Sequence, residues 1–288
     1  GGGGGGARIT IVMGDEDGKA SALNAGVRAA TGEAIVFADT YQRFEPEAIT
    51  KLVSALQRPR RGAVSGRLEL SSPAGGGAGA PKRRSAVGIY WAFERWLRRR
   101  EAEVHSSIGV TGAIYCMWKS LWTPLPAGLI LDDVFAPMSL VLKGYRVGFE
   151  DDARAFETRQ PDRTQEYRRK VRTLTGVFQL CAWLPSVLIP VLNPVWLQFV
   201  FHKLLRLLTP YCVLVIALWL AAVVLRAGTV GAAVFLAAVL VLAALLVAGN
   251  ARPVRHLREV LVQGLQMQAA VIVGTVNGFR GRWDVWRR

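Results

Sequence analysis

Two runs of about 20 residues with almost no charge, Leu207–Leu225 and Thr229–Ala248, constrain this chain most. At ~1.5 Å rise per residue, each helix spans the ~30 Å hydrocarbon core of a bilayer. Both therefore read as transmembrane helices, joined by the tight turn Arg226–Gly228. Val260–Phe279 is a weaker third candidate, diluted by Gln263, Gln266, Gln268 and Asn277. Phe178–Phe201 is apolar but broken by Pro185, Pro190 and Pro194, which predicts interfacial helices there. Basic residues flank the strong pair: His202, Lys203 and Arg206 before it, Arg252, Arg255 and Arg258 after it. The charge rule puts both flanks in the cytosol. If Val260–Phe279 also crossed, the basic tail Arg280–Arg288 would lie outside, so that segment is expected to be re-entrant or interfacial.

Most charged residues precede Arg172, so the chain joins a soluble part to a lipid-facing part. Its net charge of +15 and pI near 10.5 imply an acidic partner: nucleic acid, anionic lipid or a phosphorylated substrate. Nucleic acid fits worst, because a tethered chain without a nucleic-acid motif is a poor reader of it. The clusters Arg58–Arg61, Lys82–Arg84 and Arg98–Arg100 suit an anionic cytoplasmic leaflet, or equally a set of solvated faces. Cys116, Cys181 and Cys212 have no metal-ligand spacing, and an odd count without pairs fits a reducing compartment. Gly1–Gly6 reads as a flexible linker or fragment edge.

Arg8–Met13 predicts a short strand, Gly14–Gly18 a turn and Lys19–Ala30 a helix. Glu33–Ala38 has buried-strand length, and a helix follows from Pro46 to Leu56. This alternation predicts an α/β layer built on parallel strands. Ala63–Leu70 reads as another strand and Ser71–Ala80 as a low-complexity loop. Gly88–Val104 is an amphipathic helix whose apolar line runs through Ile89, Phe93, Trp96, Leu97 and Val104. It suits an ordinary surface helix or one lying on a membrane.

Asp39 follows a buried strand, at the end where open sheets bind ligands, and its carboxylate suits a divalent metal held beside substrate phosphates. A plain turn or cap aspartate is the competing reading. Asp132 and Asp133 follow the apolar run Leu129–Leu131 and open a helical stretch. One of them can cap the helix while the other faces a cleft as a general base; a capping pair without a catalytic role is the alternative. Arg169 and Arg172 share a helix face and suit a diphosphate, or else form a basic juxtamembrane stretch.

The order of these segments resembles family-2 glycosyltransferases with a GT-A fold. Gly18–Gly26, GKASALNAG, is similar to their GKxxALNxG segment, which implies substrate contacts for Lys19 and Asn24. Glu33–Glu47 resembles the strand that delivers the DxD metal site, implying Mg²⁺ or Mn²⁺ on Asp39. Ser107–Met117 resembles the acceptor-side GxxGA loop, implying substrate contacts for Thr111 and Gly112. Leu131–Val134 through Gly144–Val147 resembles the ED motif and its Gly-Tyr-Arg turn. The catalytic base then falls on Asp133, with the substrate-binding Asp132 in place of Glu. Two features depart from the pattern: Tyr41 stands where DxD has its second Asp, and the QxxRW segment keeps Arg172 but loses Gln and Trp.

The resemblance implies a multi-pass protein of a bacterial inner membrane with a cytosolic catalytic domain. It would transfer a sugar, with inversion, from a nucleotide-diphosphate sugar to a lipid-linked or glycan acceptor, with Arg169 and Arg172 on the donor phosphates. In such a domain the half that grips the nucleotide base precedes GKxxALNxG, so residues 7–177 are expected to form a partial GT-A domain. Interfacial helices at 178–206 and transmembrane helices with a basic tail at 207–288 should follow. The alternative is a truncated, non-catalytic relative that binds a partner or lipid.

Overall fold

The computed structural model describes residues 9–14, 18–70, 86–157, 163–249 and 252–284. The glycine linker, Arg8, Asp15–Asp17, the Ser71–Ala80 loop, Lys82–Arg84 and Trp286 lie outside them. The chain divides into two compact units. The first comprises residues 1–83, 90–160 and 180–196, and the second comprises residues 84–89, 161–179 and 197–288. Residues 161–179 thus group with the apolar helices, and residues 180–196 with the α/β unit.

In the first unit, α1 (Lys19–Ala29), β1 (Ala34–Ala38), β2 (Gln42–Phe44), α2 (Ala48–Leu56) and β3 (Arg61–Leu70) follow one another. Then come α3 (Ala86–Val104), β4 (Ile114–Trp118), α4 (Asp132–Leu142) and β5 (Arg146–Glu157). The described strands form one sheet in the order β1-β4-β3-β5-β2. The sheet is mixed, not parallel: β3 and β5 run parallel, whereas β1–β4, β3–β4 and β2–β5 are antiparallel. The reversals come from β4 and β2, two short strands that insert between or beside the longer ones.

Alternation across the sheet sorts its side chains. Val64, Ile114, Cys116 and Ala155 face α2 and pack on Ala48, Leu52, Ala55 and Leu56. Phe37, Ser65 and Tyr115 take the opposite face, where the polar residues gather. Between Ser65 and Arg67 the partner strand β5 skips from Phe149 to Arg154. Gly66 sits at this bulge, and a Cβ there would lie 2.8 Å from the Ala153 carbonyl.

Residues 9–14 form no strand, contrary to expectation, and Ile9, Ile11 and Met13 are exposed. A strand exists only through a neighbour's backbone, and no described strand pairs with this segment.

The second unit holds α5 (Arg163–Trp183) and a continuous helical run made of α6 (Trp196–Phe199), a π-helical turn (Val200–Leu204) and α7 (Leu205–Arg226). It continues with α8 (Gly228–Ala248) and α9 (Arg252–Phe279). Trp196–Arg226, Gly228–Ala248 and Leu257–Phe279 are each long and apolar enough to cross a membrane. Pro210 donates no bond to the Arg206 carbonyl one turn back, and the Thr209 hydroxyl lies 2.8 Å from that oxygen instead. Helix α9 is unbroken, so of the two expectations for Val260–Phe279 the re-entrant break does not form, whereas a continuous helix is compatible with the interfacial one. Two of its polar residues are engaged between helices: Gln268 lies 3.0 Å from the Thr209 hydroxyl, and Asn277 lies 3.5 Å from the Thr175 hydroxyl. Gly274 and Gly278, four residues apart, let α9 lie directly on Leu174 and Phe178 of α5.

Candidate active site

Three separate segments of the first unit bring charge to one place. Lys19 opens α1 after Gly18, whose φ of +86° suits the missing Cβ. Asp39 stands just past the end of β1. Asp132 and Asp133 occupy the first turn of α4, where the helix dipole favours carboxylates. The cap position belongs to Leu131, so neither aspartate caps the helix as expected.

The Lys19 ammonium lies 3.0 Å from Asp132 Oδ2 and 3.9 Å from Asp39 Oδ1. Asp132 is buried, Asp133 half-buried and Asp39 about half exposed. Burial opposes the charge on Lys19, but Asp132 first, then Asp39 and Asp133, outweigh it and raise its pKa above the ordinary value. The cluster thus holds one ammonium against three carboxylates. Tyr115 forms its floor. Burial, then the field of Asp132, Asp133 and Asp39, pushes that hydroxyl well above its usual pKa and keeps it protonated. Its ring stacks on Phe37 at 4.3 Å, and Phe37 stacks on Trp122 at 5.4 Å.

The loop before β4 forms one wall. A Cβ on Gly112 would touch both Asp133 Cβ at 3.7 Å and Lys19 Nζ at 3.8 Å, which puts its backbone beside the cluster. Thr111 is held from three sides. Its amide donates to Ser65 Oγ at 2.8 Å, while its own hydroxyl lies 3.2 Å from Ser65 Oγ and receives Arg98 Nη1 at 3.0 Å. The Val110 amide donates to the Asp133 carbonyl at 2.8 Å. Pro137, inside α4, has no N–H to offer that same carbonyl. The end of α3 is fixed by Arg146 of the Gly-Tyr-Arg turn, which donates to the His105 and Val104 carbonyls.

Lys19, Asp39, Gly112, Asp132 and Asp133 therefore converge, with Thr111 adjoining. Asn24 is engaged elsewhere: its Oδ1 accepts from Trp122 Nε1 at 3.1 Å and from the Leu125 amide at 2.9 Å, and its Nδ2 donates to the Leu125 carbonyl at 2.8 Å. Arg169 and Arg172 lie on α5 in the second unit, where Arg169 pairs with Glu166 at 2.9 Å. Sequence reasoning missed Tyr115, Ser65 and Arg98. Tyr115 lies on the face of β4 opposite Ile114 and Cys116, and no polar alternation in that segment marks it in the sequence.

Residues 5–117 match the model of glycosyl transferase family 2, a span that ends before the Asp132-Asp133 pair. No curated protein matches the chain. Among solved structures, a mannosyltransferase from Pyrobaculum calidifontis, in complex with GDP-mannose and Mn²⁺, is similar at 24% identity and a TM-score of 0.63. The match covers 92% of this chain and 67% of that one. A mannosyl-3-phosphoglycerate synthase from Rubrobacter xylanophilus matches at 17% identity and a TM-score of 0.35, covering 58% of this chain and 52% of that one. Residues 5–117 thus match glycosyl transferase family 2, and the fold is that of a GT-A glycosyltransferase.

Proposed function

We propose that the protein is a membrane-bound transferase that moves a sugar, with inversion, from a nucleotide-diphosphate sugar to a lipid-linked or glycan hydroxyl. The observation that carries this reading is the convergence of Lys19, Asp39, Asp132 and Asp133 beside Gly112. The half-buried Asp133 carboxylate takes the proton from the acceptor hydroxyl. The acceptor oxygen then forms a bond to the anomeric carbon as the bond to the diphosphate breaks, and the electron pair leaves with the nucleoside diphosphate. Asp132 holds the Lys19 ammonium in place, so that its charge is available to the donor phosphates. Arg169 and Arg172 keep their assignment to those phosphates on the family resemblance.

The residues present fit a divalent cation. The donors of the cluster are carboxylate oxygens, the ligands that Mg²⁺ and Mn²⁺ take together with substrate phosphates. No group of three ligating side chains occurs among the described residues, so Asp39 would hold the ion together with diphosphate oxygens. When bound, it supplies charge neutralisation to the leaving diphosphate. The long apolar helices of the second unit suit an inner-membrane location with this site on the cytosolic side.

A panel of nucleotide sugars, offered to the protein in native membranes and read by release of nucleoside diphosphate, tests the reading. Metal-dependent turnover of at least one donor is expected. Neither turnover nor saturable donor binding across the panel would favour a non-catalytic lipid- or partner-binding role.

A further inference from the structure

Helix α3 is turned against its own polarity. The two aromatic residues of its apolar line face outward: Phe93 is 52% exposed and Trp96 is 53% exposed, and their rings stack at 5.9 Å. The acidic residues Glu94 and Glu101 point inward, at 6% and 4% exposure. The rotation is locked by the inner face. Arg98 donates to the Thr111 hydroxyl, and Glu101 Oε2 lies 3.5 Å from the Ile108 amide. Turning the helix to bury its aromatics would leave these polar groups unmatched, a larger penalty than exposing two rings.

The outward face combines those rings with Arg99 and Arg100 one turn further on. Both arginines are exposed and, among the described residues, share a single counter-charge, Glu103. Two cations against one carboxylate leave the face net positive beside its aromatic pair. Amphipathic rings flanked by arginine are what the headgroup boundary of an anionic bilayer accommodates: the rings enter the acyl boundary and the guanidinium groups meet phosphate.

We propose that the Phe93–Trp96–Arg99–Arg100 face of α3 docks on an anionic lipid surface. The opposite face of the same helix holds the Ile108–Thr111 loop beside Gly112, so the lipid contact bears on a helix that shapes the acceptor side of the site. The proposal rests on the membrane reading above, and its test separates the two.

In full-length protein with Cys181 and Cys212 replaced by alanine, a nitroxide is placed singly at Trp96→Cys, Asp152→Cys or Leu240→Cys. Cys116 stays, because burial pushes its thiol up to about 12 and keeps it unreactive. In phosphatidylglycerol vesicles the position-96 label should collide more with oxygen than with a water-soluble nickel chelate. The label at Leu240, in α8, should do the same, and the label at the exposed Asp152 should do the opposite. The preference at position 96 should fall in phosphatidylcholine, and also in phosphatidylglycerol when Arg99→Gln and Arg100→Gln are added.

A position-96 label that behaves like the Asp152 label while Leu240 reads as lipid would overturn the docking face and leave the membrane reading standing. A label shielded from both reagents would overturn it as well, since protein would then cover the face. Equal behaviour in the two lipids would sink the anionic preference. An aqueous Leu240 label would remove the membrane reading and this proposal together. If Trp96→Cys fails to fold, Phe93→Cys with Trp96 retained reads the same face.

Discussion

The carbonyl of Asp133 accepts the Val110 amide at 2.8 Å, and Pro137, one helical turn later, has no N–H with which to compete for it. The 107–112 loop is thereby tied to the backbone of the residue we propose as base. Proline inside a helix ordinarily costs stability, and here the acceptor it leaves unused joins two walls of the site. Pro137→Ala supplies the missing donor. It should stabilise α4 by about 1–3 kcal/mol while loosening residues 107–112. Turnover should fall with donor affinity unchanged, measured by steady-state kinetics beside donor titration.

Asp133→Asn removes the base without changing shape. Turnover should drop by ~10²–10⁴, with nucleoside-diphosphate affinity held within a few fold. Near-normal turnover in this variant would place the base elsewhere.

Lys19→Met leaves the buried Asp132 without its cation. Partial exposure of Lys19 moderates the loss, which should be about 1–3 kcal/mol, together with weaker donor binding. Because the folded-state pKa of Lys19 is raised, its contribution is fully present below its ordinary value of 10.5 and is lost as pH rises through the folded value. The wild type should therefore show an alkaline loss of stability that Lys19→Met lacks, measured by thermal unfolding from pH 8 to 12.

Asn24→Ala removes three hydrogen bonds that hold the 122–125 segment. A loss of about 2–4 kcal/mol is expected, with a change in Trp fluorescence as Trp122 leaves Phe37. An effect confined to KM, with stability intact, would instead make Asn24 a direct substrate ligand.

Gly278→Val would set a Cβ 2.3 Å from Phe178 Cγ, separating α9 from α5. The unfolding midpoint in detergent should fall, whereas Gly264→Val on the same helix, with open space at its Cβ, should change it much less.

Much of the first unit was legible from pattern. Lys19–Ala29, Ala34–Ala38, Ala48–Leu56 and Asp132–Leu142 each carry local periodicity, a buried-length apolar run or a helix-start signal, and each forms where expected. β4 and β5 escaped for opposite reasons. Ile114–Met117 is buried on both faces, so no polar alternation marks it as a strand. Arg146–Glu157 carries six charged residues, and β3 and β2 make it a strand by pairing with it from either side.

By itself the sequence determined two helices long and apolar enough for a bilayer, a weaker third candidate, the α/β character of the first part and the identity of the charged residues. Composition and local period are properties of a segment, and they survive without knowledge of its neighbours. Only the tertiary structure decided that Lys19 is balanced between Asp39 and Asp132 and that Asn24 serves a loop. It alone turned the aromatic line of α3 outward. Each of those outcomes depends on which distant groups satisfy a buried charge or amide, and a buried polar group left unmatched costs more than an apolar ring left exposed.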